Sequence, residues 1–128
     1  MDTLKVGMKH RLEWEVTEAR TTTRGEFKVF ATPFMVQLAE QASSQLAASH
    51  LKPEQGQVGI SLTVRHMAAT PMGKTVRAEV ELTAIDRRKL TFHVGIFDDV
   101  EQIGDVTHER FVIDLDKYTE KLRKKING

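Results

Sequence analysis

Between Lys28 and Lys52 the sequence carries one formally charged residue, Glu40, although 29% of the whole chain is charged. An even spread would put about six or seven charges there. The apolar spacing is helical, and a long helix so stripped of charge must be covered by protein on most sides. Its start is well marked. Thr32 has the chemistry of an N-cap, and Pro33 suits the first helical position, where its missing N–H costs nothing.

At about 100° per residue, Phe34, Met35, Leu38, Ala42, Leu46 and Ser49 share one face, suited to a sheet. Val36, Ala39, Ser43 and Ala47 form a second face of small residues, suited to the close approach of a partner subunit's helix. Glu40 lies at the border of that second face. Two readings stand: a carboxylate kept beside chemistry, or one more member of a wet strip with Gln37, Gln41 and Ser44.

The 128 residues make a single domain, 1–128, large enough for a core without staples. A net charge of +1 argues against nucleic-acid binding. The absence of cysteine removes disulfides, thiolate nucleophiles and Cys-ligated zinc. His10, His50, His66, His93 and His108 lack zinc-ligand spacing, and no metal is expected. The start M-D-T-L-K-V does not read as a secretory signal and no apolar run reaches membrane-spanning length, so a cytoplasmic protein with no membrane partner is expected. No G-x-S-x-G elbow, P-loop or Rossmann fingerprint is present.

Around the helix the pattern is that of strands. Lys9 to Val16 alternates, with Leu12, Trp14 and Val16 on one face, and Thr21 to Gly25 reads as a connection or flap. After the turn K-P-E-Q-G-Q, a strand is expected to send Val58, Ile60, Leu62, Val64 and His66 inward. Val76, Ala78, Val80 and Leu82, then Leu90, Phe92, Val94 and Ile96, face in from the next two strands. From Ile103 to Leu115 the alternation is less clear. Phe111, Ile113 and Leu115 are the inward candidates, against Val106, His108 and Arg110 on the other parity, with a bulge as one reconciliation. Leu115, Tyr118, Leu122 and Ile126 then space out a short amphipathic C-terminal helix with a basic polar face.

One strand, a buried helix and four hairpin-linked strands give an α+β hotdog fold: a five-stranded antiparallel sheet wrapped around one long central helix. The helix's small-residue face would still need cover, which predicts a homodimer.

V-F-A-T-x-F-M-V-x-L-x-E, a strand ending V-x-H-x-A-A-T-P-x-G, and I-G-x-x-T-H-E-R together resemble the fluoroacetyl-CoA thioesterase family of hotdog proteins. The resemblance runs from about Val29 to the end of the chain. It implies hydrolysis of an acyl-CoA thioester, with no cofactor beyond the coenzyme A of the substrate. By motif it assigns catalysis to Thr32, Glu40 and His66, and substrate binding to Gly59 and Arg110. The segment ahead of F-A-T, which in the family is a lid over the acyl pocket, is short and polar here (T-T-T-R-G-E-F-K). A short-chain acyl-CoA thioesterase is therefore expected, and the family's preference for a fluorinated acyl group is not carried over to this chain. A non-catalytic hotdog module that binds acyl-CoA is the alternative.

Each candidate also has a plainer job. A carboxylate in a partly apolar site can serve as general base or attack the carbonyl itself. His66 can polarise a hydroxyl or water, or sit as a core histidine bonded to a backbone carbonyl. Thr32 can cap the helix, where free N–H groups also suit an oxyanion. Gly59 marks close approach of a ligand, or a bulge. Arg110 can bind an acyl or phosphate group, or pair on a wet face. The basic tail can meet the phosphates of coenzyme A or be a solvated helix face. On one straight helix Thr32 and Glu40 would stand about 12 Å apart, too far for a direct hydrogen bond. The working site would then join groups from two protomers, or the substrate would span the gap.

Overall fold

In a computed structural model describing residues 1–128, strand β1 (Lys9–Glu15) leads through a 3-10 turn at Glu18–Arg20 into a hairpin, β2 (Thr21–Arg24) and β3 (Phe27–Phe30). Helix α1 (Thr32–Ala48) follows, then β4 (Gln55–His66), β5 (Thr75–Asp86), β6 (Lys89–Phe97), β7 (Gln102–Asp114) and α2 (Leu115–Asn127). The main sheet is antiparallel, in the order β1-β5-β6-β7-β4. Its inner face wraps α1, and β4 forms one free edge. This is the hotdog arrangement. No helix is long and apolar enough to cross a membrane.

The core is built by the expected rows of β5 and β6, with Val76, Ala78, Val80, Leu82, Leu90, Phe92, Val94 and Ile96 all buried. On α1 the buried set is Met35, Leu38, Ala39, Ala42, Ser43, Leu46 and Ala47. The small-residue face therefore packs inside its own chain, contrary to the expectation that it awaits a partner helix. Small side chains serve there to bring the helix axis close to the wrapped sheet. The hydroxyl of buried Ser43 is satisfied by donating to Ala39 O at 2.9 Å.

Two strands depart from simple alternation. The β4–β7 register runs Gly59↔Arg110, then Ser61↔Glu109, leaving Ile60 as an extra residue. Below that bulge the inward parity is odd, and above it even. Val58 consequently pairs with Phe111 rather than facing in, and Ile60 is 50% exposed, both contrary to expectation. On β7 the inward row is Val106, His108, Arg110 and Val112, while Phe111 and Leu115 are exposed. The expected inward trio is overturned because the inner face here is lined by polar side chains.

Candidate active site

The edge strand β4 runs beside α1, and two polar clusters lie along that contact. The first is at the helix start. Ala31, not Thr32, takes the N-cap position, and its carbonyl accepts from Phe34 N and Met35 N. Thr32 makes no capping bond, a correction to the sequence reading. Its Oγ1 lies instead 2.8 Å from His66 Nδ1. The other ring nitrogen, Nε2, is buried without a partner. Burial lowers the His66 pKa below its ordinary value, with a backbone contact at Ala68 acting in the opposite sense.

The two segments that meet here are held from one point. Thr70 O accepts from Phe30 N at 2.8 Å, two residues before Thr32. Thr70 Oγ1 donates to Asp98 Oδ2 at 2.8 Å, and Asp98 Oδ1 also accepts the N–H groups of Val100 and Glu101. A cavity of about 640 Å³ opens beside Thr32 and His66, walled by the β2–β3 hairpin and the Met67–Ala69 segment.

The second cluster lies two turns further along α1. Glu40 Oε2 is 3.9 Å from Arg110 Nη1, the side chains being 44% and 9% exposed. Arg110 donates from Nε to Gln57 Oε1 at 2.7 Å, and Gln57 Nε2 donates to Ser44 O on the helix. Arg110 Nη1 is 3.1 Å from His108 Nε2, and His108 Nδ1 is 2.8 Å from Ser61 O. A guanidinium only donates, so Nε2 accepts and Nδ1 carries the proton. His108 is thus a neutral strut with both nitrogens committed. Burial is the main cause of its lowered pKa, with Arg110 adding to it and the Ser61 carbonyl and Glu40 opposing. Burial also lowers the Arg110 pKa, against the pull of Glu40.

Gly59 faces this cluster across the register pair with Arg110. A Cβ at that position would lie 3.1 Å from Glu40 Oε2, 3.1 Å from His108 Cε1 and 3.5 Å from Arg110 Nη1. The first two contacts are tight enough that Glu40 or His108 would have to give by a few tenths of an ångström, whereas the guanidinium would be met at ordinary contact distance. Gly59→Ala is expected to displace Glu40 and lower kcat/KM roughly tenfold to a hundredfold, while the circular-dichroism melting curve moves little.

The structure thus brings Thr32 to His66, and Glu40 to Gly59 and Arg110. It does not bring the two pairs together: eight residues of helix separate them, about 12 Å of rise. The cavity at Thr32 has no Glu40 in its wall. His108 and Gln57 complete the second cluster; the sequence assigned His108 no catalytic or binding role and did not single out Gln57. The shared parity of Val106, His108 and Arg110 was the available signal.

The two lowered histidines fix a pH dependence. In the unfolded chain each titrates near 6.5, and in the fold each binds its proton less readily. Below about pH 6.5 the unfolded state binds more protons, so stability falls with pH through the folded-state pKa values and is fully present above 6.5. Melting temperature is expected to drop between pH 7 and 5, and to drop less in His108→Gln. A drop of the same size in His108→Gln would take His108 out of the account.

A wrapped antiparallel sheet, with a hydroxyl, an imidazole and a carboxylate strung along the contact of its central helix with the edge strand, defines a hotdog protein of thioesterase type. The chain belongs to the fluoroacetyl-CoA-specific thioesterase family, whose model matches residues 6–116. It is 45% identical over 98 residues to the fluoroacetyl-CoA thioesterase of Streptantibioticus cattleyicolor, spanning 77% of this chain and 70% of that one. A solved structure of the fluoroacetyl-CoA thioesterase FlK superposes with a TM-score of 0.87 at 38% identity, over 97% of this chain and 98% of that one. A Thermus thermophilus thioesterase-superfamily protein gives a TM-score of 0.91 at 21% identity, over 99% and 96%, a likeness of fold alone.

Proposed function

We propose that this protein is an acyl-CoA thioesterase that releases a free short-chain acid and coenzyme A. The observation that carries this reading is Glu40: the one charge on α1, held 3.9 Å from a guanidinium anchored by Gln57 and His108. A binding module has no need of an acid in that position. In the reaction, water adds to the thioester carbonyl as Glu40 takes its proton, and the tetrahedral intermediate expels the thiolate, which is protonated in turn. Direct attack by Glu40, giving an anhydride that water then opens, reaches the same products. Arg110 and the Thr32–His66 pair stabilise the developing oxyanion and orient the acyl group.

A homodimer is part of this reading. β4 is a twelve-residue edge strand with Ile60 exposed along it and Met67 exposed just past its end, a long edge of the kind proteins cover. Pairing two β4 edges would set one protomer's Glu40 cluster near its partner's Thr32–His66 pair. A cytoplasmic location goes with a coenzyme A ester as substrate. Sedimentation equilibrium is expected to give twice the chain mass. Thiol release from acetyl-, propionyl- and longer acyl-CoAs tests the activity, and tight acyl-CoA binding with no thiol released would favour the non-catalytic module.

A further inference from the structure

The wall of the cavity beside Thr32 and His66 contains one side chain of fixed charge. Of its eleven lining residues, Arg24 alone is formally charged, and no carboxylate is among them. Arg24 comes from the β2–β3 hairpin, where cross-strand pairing of Thr22 with Val29 and of Arg24 with Phe27 turns Thr22, Val29 and Arg24 to the same side. The other cations of the hairpin and of the turn before it are already engaged. Arg20 stacks 4.0 Å over Trp14 and donates to Glu15 O, and Lys28 pairs with Glu18. Arg24 makes no ion pair. Its Nη1 donates to Thr22 Oγ1 at 3.2 Å and Thr23 O at 2.9 Å, fastening one edge of the guanidinium to the hairpin and leaving Nε and Nη2 for another acceptor.

Building on the thioesterase reading, we propose that Arg24 is an anion-binding subsite of the acyl pocket that selects substrates by a negatively charged group. A guanidinium held by its own hairpin meets a planar or tetrahedral oxyanion with little further ordering. The cavity is far roomier than a two-carbon acyl group requires. Two parts of a thioester substrate offer this chemistry: a terminal carboxylate on the acyl chain, as in a dicarboxylic acyl-CoA, and the phosphates of coenzyme A.

Wild type, Arg24→Gln and Arg24→Lys are assayed for thiol release on acetyl-CoA, succinyl-CoA, and the acetyl and succinyl thioesters of N-acetylcysteamine, which carry no phosphate. If the anion is an acyl carboxylate, Arg24→Gln lowers the succinyl-to-acetyl ratio of kcat/KM tenfold or more with both carriers, and Arg24→Lys restores part of it. If it is a phosphate, the ratio of coenzyme A esters to N-acetylcysteamine esters falls by that amount for both acyl groups. Both ratios staying within twofold of wild type overturns the subsite. No thiol from any ester in wild type defeats the thioesterase reading instead. Calorimetric titration with succinate and with coenzyme A then decides the subsite: tenfold weaker binding of either to Arg24→Gln sustains it, and equal binding of both overturns it.

Discussion

Replacing Glu40 by Gln is expected to slow thiol release from acyl-CoA by about 10²- to 10⁴-fold, the usual contribution of a positioned base. The amide is nearly isosteric, and the carboxylate it replaces is half exposed with one long-range ionic contact, at 3.9 Å. Folding should be little affected, because an ion pair with that much solvent access contributes little to stability. The discriminating outcome is a full-sized kcat loss with KM and melting temperature close to wild type. A Glu40→Gln protein as active as wild type would remove the carboxylate from the mechanism and leave the acyl-CoA-binding module as the better account.

Arg110→Met should fail on both counts. The guanidinium supplies the donors that satisfy His108 Nε2 and Gln57 Oε1, and it is nearly buried. An apolar side chain of similar length strips both acceptors of their partner, at a cost of roughly 1–3 kcal/mol each. A loss of several degrees in melting temperature follows. Activity should fall about 10²- to 10³-fold, the range for removing one preorganised donor from an oxyanion site. Arg110→Lys keeps the charge but cannot serve Gln57 and His108 together, so it should recover part of the rate and little of the stability. If Arg110→Met melts as wild type does, the Gln57–Arg110–His108 chain is not holding the edge strand in place.

The strongest periodicities gave the fold from sequence. The clean rows of β5 and β6, a helix with one charge and short hairpin turns leave few arrangements besides a wrapped sheet. The motifs assigned Thr32, Glu40 and His66 to catalysis and Gly59 and Arg110 to binding; the structure groups the same five residues differently, Thr32 with His66 and Glu40 with Gly59 and Arg110. Alternation failed on the two strands that carry the polar residues. On β7, Phe111 and Ile113 look like core and His108 and Arg110 like surface, yet the latter pair is buried. Hydrophobicity is a poor guide where the inner face is built to hold charge. The Ile60 bulge broke the parity of β4; the mid-strand Gly59 marked the place as a close approach or a bulge, and the structure has both there. Thr32 was read as a cap because the helix start favours hydroxyls, but Ala31 provides the turn with its carbonyl alone, leaving the side chain for His66. The small-residue face was assigned to a partner because no local signal separates contact with a second helix from contact with one's own sheet.

The unpaired residue at Ile60 makes the distance from Gly59 to His66 a gauge for the whole edge. Both point to the helix although their numbers differ in parity, which is possible only with a single inserted residue between them. With the bulge kept, loss or gain of one position from 61 to 65 would swing the imidazole to the opposite side of the sheet while leaving the glycine where it is. Loss of Ile60 together with the bulge would instead restore plain alternation and keep both facing the helix. The bulge and the seven-residue step are therefore tied: an edge of this kind keeps both halves of the site only if it holds the two together or gives up both at once.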